Sequence, residues 1–237
     1  MEAGTESLAG FRLMGWALAA FFAVNLAIFG IVSAYHPLLN ALVLSPDHPS
    51  GILTATFTHS DVSHLFGNMA VLVILGLFFV GVNMSADLET KKRLGKIFVL
   101  GSFLAGVAAS AVQLVIWRFS GVSGIQACGA SGMVYGAAGV LLASAFYNIP
   151  RCFSNIRLIL DDRLGAASPN IFYTISFSMC VAILFTYLAV FETNAFFYIQ
   201  TGVIWLAHEL GFVFGFLASV LLFLALRKKA AKKSWTC

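Results

Sequence analysis

Ser131 and His208 are the two residues of this chain whose types best suit nucleophilic catalysis. A serine hydroxyl becomes an effective nucleophile when a histidine within hydrogen-bonding reach removes its proton. Two further polar side chains, His64 and Asn68, are four residues apart, so a helix would place them on one face. Donors of this kind suit an acyl transfer, in which a developing oxyanion must be stabilised. Taken singly, Ser131 also suits a helix N-cap, and each histidine suits a hydrogen-bonded core position.

The composition places these residues in a membrane protein. Hydrophobic residues make up 60% of the 237 and charged residues only 10%, with a mean hydropathy of +0.92, whereas soluble domains carry about 25% charged residues. The length fits one compact helical domain over residues 1–237. The net charge of +4 does not indicate nucleic-acid binding, because the basic residues lie in short runs between apolar stretches.

Six apolar stretches have the length of about 20 residues that a bilayer-spanning helix needs. They cover residues 13–35, 62–82, 97–117, 131–147, 171–191 and 199–226. If both termini are cytoplasmic, Arg118 is the one residue among the 14 Lys and Arg that falls outside. This asymmetry predicts an all-α bundle of six transmembrane helices with both termini inside and a basic cytoplasmic tail over residues 227–237.

This topology brings the polar residues to one side of the membrane. The second, fourth and sixth helices begin on the outer face, with His64 and Asn68, Ser131, and His208 near their beginnings. His208 lies roughly 13 Å into its helix at about 1.5 Å per residue. Polar groups at membrane depth are costly and indicate function. Three segments far apart in sequence therefore converge at one depth.

Glycines offer a way for the fourth and sixth helices to meet. Gly132 and Gly136 follow the serine by one and five residues, and Gly211 and Gly215 follow the histidine by three and seven. Small residues four apart let two helix backbones approach closely. Ordinary helix packing explains the same pattern, and such packing would itself bring Ser131 toward His208.

Three motifs resemble those of the rhomboid intramembrane proteases. Gly129-Ala130-Ser131-Gly132 is similar to the GxSG motif of that family. Residues 59–68 resemble its second helix, with a histidine and an asparagine four later, and residues 207–211 resemble its sixth helix. The resemblance covers roughly residues 13–226, and the ordered combination of motifs is far more specific than GxSG alone.

The resemblance implies a catalytic dyad, with Ser131 as nucleophile and His208 as general base. His64, Asn68 and the backbone N–H of Ser131 would form the oxyanion hole, and Tyr135 would support the histidine ring. The implied activity is endoproteolysis of single-span or other membrane-protein substrates in the bilayer, after a small residue. The site would open to the non-cytoplasmic face of a cell membrane, plasma or inner. No metal, cofactor or nucleic acid is implied, and no oligomeric state is indicated.

Several neighbouring residues have simpler interpretations. Asp61 suits a cap of the second helix, and Glu209 points about 100° away from His208 on a helix, so neither is expected to complete a triad. Cys128 is a rival nucleophile without an evident base. Thr58 and His59, with Ser60 and Ser63, are expected to keep the mouth of the site wet.

Two other functions remain open. An inactive rhomboid relative that escorts membrane proteins is disfavoured because both Ser131 and His208 are present. A small transporter is disfavoured because the polar residues cluster near one face and the sequence shows no clear inverted repeat. The first outer loop lacks the Trp-Arg pair often found in rhomboid proteases, so the details of substrate access stay open.

Overall fold

The described part of the chain contains six long helices, and the predicted all-α polytopic fold is confirmed. The structure is a computed structural model that describes residues 8–160, 169–191 and 205–234. The helices are α1 (Arg12–Ala34), α2 (Val62–Val82), α3 (Leu88–Phe119), α4 (Ser131–Leu160), α5 (Pro169–Phe191) and α6 (Trp205–Ser234). Each contains a stretch long and apolar enough to cross a membrane. No β-strand occurs in these three described ranges.

The apolar pattern of the sequence did not predict the first helical turns of α3. The helix begins at Leu88 rather than at residue 97, and Asp87 is its N-cap, accepting a hydrogen bond from the N–H of Thr90 at 2.9 Å. Basic side chains between residues 91 and 96 lower the hydropathy of these turns. An apolar stretch predicts only the part of a helix that lies in the bilayer core. The charged first turns of α3 extend the helix beyond that core.

The other boundaries are close to the predicted ones, except at the ends of α4 and α6; α6 continues to Ser234, past the predicted end at residue 226 and into the predicted tail. α2 has the predicted bounds, and α1 and α5 begin one and two residues before residues 13 and 171. α4 begins at Ser131 as predicted but continues to Leu160, past the predicted end at residue 147. Residues 199–204, the predicted start of α6, lie outside the described ranges.

α4 is the central helix of the bundle. Of its apolar window 67% is buried, against 11% in α1, so α4 is surrounded by other helices while α1 lies at the periphery. It packs against α2, α3, α5 and α6. Many of its inward positions carry small side chains, including Ala137, Ala138, Ala143 and Ala145. Small residues allow close approach of neighbouring backbones, so the helix that begins with Ser131 is held from four sides.

A buried polar cluster joins the end of α2 to α4. Asn83 Nδ2 donates to Phe79 O and Ser144 Oγ, both at 2.8 Å. Asn148 Nδ2 donates to Val82 O at 3.1 Å. Interhelical hydrogen bonds of this kind contribute about 0.6 kcal/mol each on average in a membrane protein. The cluster fixes α2 against the central helix at the end opposite to His64 and Asn68.

The segment between α1 and α2 folds over one end of the bundle. It contains the short helices Pro37–Leu42 and Gly51–Thr54 and the 3₁₀ turn Ala55–Phe57. Leu44 and Ala127 exchange two backbone hydrogen bonds of 2.9 Å, which tie this segment to the loop before α4. The loop that leads to Ser131, the candidate nucleophile, is thereby fixed to the segment that leads into α2.

Candidate active site

A polar cavity of about 750 Å³ lies at the end of the bundle where α2, α4 and α6 begin. Its walls include Ser131 and Tyr135 from α4, His208 from α6, and His64 and Asn68 from α2. The loop before α4 and the facing side of α3 complete the walls with Gly106, Ser110, Gln113, Gln126, Ala127 and Cys128. The structure thus brings together the five side chains that the sequence predicts for the site.

Two hydrogen bonds hold the backbone just before Ser131. The N–H of Gly129 donates to Ala55 O at 2.8 Å, and the N–H of Ala130 donates to His59 Nε2 at 3.3 Å. Ser131 is the first residue of α4. Its own N–H therefore belongs to the first helical turn, where amides lack an intrahelical acceptor and the helix dipole favours negative charge.

Gly129 meets two requirements that only glycine satisfies. Its φ of +113° lies in the region that L side chains rarely adopt. A Cβ at this position would also lie 2.6 Å from Cε1 and Nε2 of His64. The first glycine of the motif therefore turns the chain into α4 and leaves room for the His64 ring beside the loop that precedes Ser131.

Tyr135 and His208 stack face to face across α4 and α6. Their ring centroids are 4.4 Å apart and their planes differ by 17°. His208 is buried, and Tyr135, four residues after Ser131, lies on the same face of α4 as the serine. This stacking fixes the plane of the imidazole ring.

The four glycines named by the sequence meet at the contact between α4 and α6. A Cβ on Gly211 would lie 2.5 Å from Gly132 O, and a Cβ on Gly215 would overlap the backbone of Gly136. The two backbones are therefore in direct contact at these levels. Side chains here would force α6 away from α4 and His208 away from Ser131.

A short hydrogen-bonded chain orients His64. Asp61, the N-cap of α2, accepts the N–H of His64 at 2.8 Å, so the expected capping role of Asp61 is confirmed. Ser60 Oγ donates to the other oxygen of the same carboxylate at 2.8 Å and lies 3.2 Å from His64 Nδ1. The hydrogen bonds from the His64 N–H and from the Ser60 hydroxyl hold the pKa of the Asp61 carboxyl below its ordinary value. The Ser60 hydroxyl has one proton, which it donates to Asp61. In its contact with His64, Ser60 Oγ is therefore the acceptor and His64 Nδ1–H is the donor.

Asn68 lies one turn below His64 and also faces the cavity. Its Nδ2 is buried and has no hydrogen-bond partner among the described residues. The same atom lies 3.5 Å from the position that a Cβ on Gly129 would take, which places it beside the loop that precedes Ser131. A buried amide donor without an acceptor is costly unless a ligand supplies one. Asn68 therefore suits donation to a group bound in the cavity.

The expectation that Thr58 and His59 keep the mouth wet is wrong, because both are buried, with 0% and 1% of their surface exposed. Ser60 and Ser63 are exposed and line the cavity as expected. Burial lowers the pKa of His59 to about 4, so the ring is neutral and accepts the N–H of Ala130. The rings of His59 and His64 contact each other edge to face, with centroids 5.0 Å apart.

The alternative chemical groups near the site are less well suited to catalysis. Burial raises the pKa of the Cys128 thiol, which keeps it protonated and weakly nucleophilic. Glu209 is not among the described residues that line the cavity. No group of three His, Cys, Asp or Glu is placed to hold a metal ion in the described part of the chain.

The sequence matches the model of the Rhomboid domain family over residues 46–225. The chain belongs to the rhomboid family. Searches of curated proteins and of solved structures return no match. The rhomboid family is a family of intramembrane proteases, and these proteases act on membrane-protein substrates within the bilayer. The match includes α2 to α5 and α6 as far as residue 225, and it leaves α1 outside.

The rhomboid match covers every cavity residue except Leu44, and several of these residues, including two polar ones on α3, were not found from the sequence. Ser110 and Gln113 of α3 face the cavity, and Gln113 Oε1 is buried without a partner among the described residues. A glutamine inside an otherwise apolar span is the signal that could have found it. Its position on α3, across the cavity from α2, depends on tertiary packing.

Proposed function

We propose that this rhomboid protein is a serine endopeptidase that cleaves transmembrane segments of other membrane proteins. Ser131 is the nucleophile and His208 is its general base. The proposal is carried by one observation: Ser131, Tyr135 and His208 line one polar cavity with His64 and Asn68, although they come from three different helices. A bundle that needed only stability would have no reason to gather these groups at membrane depth.

The reaction begins when Ser131 Oγ attacks the scissile carbonyl and its proton passes to His208. Collapse of the tetrahedral intermediate breaks the C–N bond, and His208 returns the proton to the leaving amine. A water molecule then attacks the acyl-enzyme, with His208 again as base. The Tyr135 ring keeps the imidazole in one plane through both steps.

Three donors stabilise the oxyanion in this proposal. The N–H of Ser131 lies in the first turn of α4, and Asn68 Nδ2 is a neutral donor without a partner among the described residues. His64 uses Nδ1 toward Ser60, so its Nε2 donates only when the ring is protonated. Asn68 and the Ser131 amide are therefore the donors that act in every protonation state.

The substrate is a transmembrane segment that unwinds at the scissile bond. Unwinding exposes N–H and C=O groups that hydrocarbon cannot satisfy. Serine and glutamine side chains on the cavity wall supply polar contacts for them. Gly106, Gly132 and Ala207 also line the cavity and leave room for a small side chain next to the nucleophile.

The charge distribution supports the orientation of the site. With both termini cytoplasmic, Arg118 is the one Lys or Arg on the outer side, and it donates to Pro46 O at 2.9 Å within the outer loops. The cavity then opens to the non-cytoplasmic face of a cell membrane. Water for deacylation enters from that face, past Ser60 and Ser63.

Cleavage of a single-span reporter in proteoliposomes tests the proposal. The wild type cuts the reporter within or beside its transmembrane segment, and Ser131→Ala and His208→Ala each abolish cleavage. Cys128→Ser is the matched control: it changes the rival nucleophile on the same loop and leaves cleavage in place. Cleavage that persists in Ser131→Ala and is lost in Cys128→Ser would overturn the assignment of the nucleophile.

A further inference from the structure

A second cavity lies between α1 and α2 at the opposite end of the bundle. It has a volume of about 500 Å³, and all of its lining residues but one are apolar or glycine. The exception is Arg12, the first residue of α1, whose exposed side chain lies at the end of the groove. The groove is separate from the catalytic cavity, and the two share no residue.

Aromatic contacts join the chain at α1 to α2 at both ends of the groove; near Arg12, Phe11 contacts Phe79 with ring centroids 6.5 Å apart. On the side of the catalytic cavity, Phe22 contacts Phe66 with ring centroids 6.0 Å apart. Toward Arg12, the walls carry Gly15 and Gly76. A Cβ on Gly15 would meet nothing within 4 Å, whereas one on Gly76 would lie 3.3 Å from Leu18 Cδ1 and 3.8 Å from the Phe98 ring. The missing side chain of Gly15 therefore leaves open space along the groove, and Gly76 lets Leu18 of α1 pack closely against α2.

The dimensions of the groove match one leaflet of a bilayer. From Arg12 to Phe22 the α1 wall rises about 15 Å at ~1.5 Å per residue. This is half of the roughly 30 Å hydrocarbon core. The charged end lies at the beginning of the span, at the level of the headgroups, and the apolar end lies near the mid-plane.

We propose that this groove binds one anionic phospholipid, with an acyl chain against Gly15 and Gly76 and the phosphate on the Arg12 guanidinium. A guanidinium forms paired hydrogen bonds with phosphate oxygens, and the apolar walls bury the chain. The lipid fills the gap between peripheral α1 and α2. Because α2 carries His64 and Asn68, the bound lipid supports a helix of the catalytic site from behind.

Native mass spectrometry of the full-length protein, titrated with phosphatidylglycerol or phosphatidylcholine, tests the proposal. The wild type retains one phosphatidylglycerol in preference to phosphatidylcholine. Arg12→Gln binds about fivefold more weakly, the effect of losing one basic contact near the membrane surface. Arg93→Gln is the matched control, because it removes an exposed arginine outside the groove and leaves this affinity unchanged.

A second pair of variants tests the acyl-chain part of the site. Gly15→Leu fills the groove and lowers retention of phosphatidylglycerol, whereas Gly30→Leu, also in open space on α1 but outside the groove, does not. Any one of three results would overturn the proposal. They are equal retention of phosphatidylglycerol by these two variants, equal weakening of binding in Arg12→Gln and Arg93→Gln, and equal binding of both lipids. Arg12→Gln changes an exposed side chain, so its result stands even if Gly15→Leu fails to fold.

Discussion

The contact between Gly211 and Gly132 offers the sharpest test of how the fold builds the dyad. Gly211 lies one turn after His208, and Gly132 is next to Ser131, so a substitution here acts directly between the proposed base and nucleophile. A methyl group on Gly211 would lie 2.5 Å from Gly132 O, whereas comfortable contacts are about 3.5 Å. Gly211→Ala must therefore displace α6 by about 1 Å.

The expected cost of this displacement falls more on catalysis than on folding. Overpacking of a well-packed contact typically costs about 1–3 kcal/mol of stability. A misplacement of about 1 Å between reacting groups can lower the rate by roughly 100-fold. We therefore expect Gly211→Ala to remain folded at 25 °C while its kcat/KM falls by about two orders of magnitude.

The assay is cleavage of the single-span reporter, normalised to protein that remains folded by circular dichroism. Gly30→Ala is the matched control, since a Cβ there meets nothing within 4 Å and the exchange favours the helix. If Gly211→Ala and Gly30→Ala cleave at the same rate, the close contact of α4 and α6 does not set the position of His208, and this reasoning is refuted.

Three further predictions concern individual site residues. Asn68→Ala lowers kcat roughly 100-fold with little change in KM, as expected for a donor used in the transition state, and an unchanged kcat would remove Asn68 from the oxyanion hole. Tyr135→Phe keeps the stack on His208 and most of the kcat, whereas Tyr135→Ala lowers it about tenfold, in line with the strength of aromatic pairs; equal rates would contradict the supporting role. Because burial lowers the pKa of His59 to about 4, the neutral ring contributes stability that is complete above pH 6.5 and is lost as the pH falls toward 4, by at most about 3 kcal/mol. Chemical unfolding between pH 4 and 7 should show this loss in the wild type and a flatter profile in His59→Gln, and identical profiles would contradict it.

The fold could be predicted from the sequence because the bilayer determines both the length of the apolar stretches and the positions of the basic residues. α2 begins at Val62 as predicted, since Asp61 caps it. The start of α3 at Leu88 was missed, because charged helical turns outside the bilayer core leave no hydropathy signal.

The candidate site was predictable only in part. The predicted topology placed Ser131 and His208 at a similar depth in the membrane. The stack of Tyr135 on His208 was expected only from the family resemblance, because residue spacing does not indicate which helix faces meet. The burial of His59 and the place of Gln113 on the cavity wall depend on how loops and α3 pack against α2 and α4. Contacts of this kind are tertiary and have no local pattern in the chain.

The central claim is that Ser131 is a nucleophile activated by His208, and covalent labelling tests it most directly. The membrane-reconstituted protein is treated with a fluorophosphonate probe, and the modified peptide is identified by mass spectrometry. The account predicts one adduct on Ser131 in the wild type, its loss in His208→Ala, and its retention in Cys128→Ser. An adduct elsewhere, or equal labelling of Ser131 in the wild type and His208→Ala, would contradict the account.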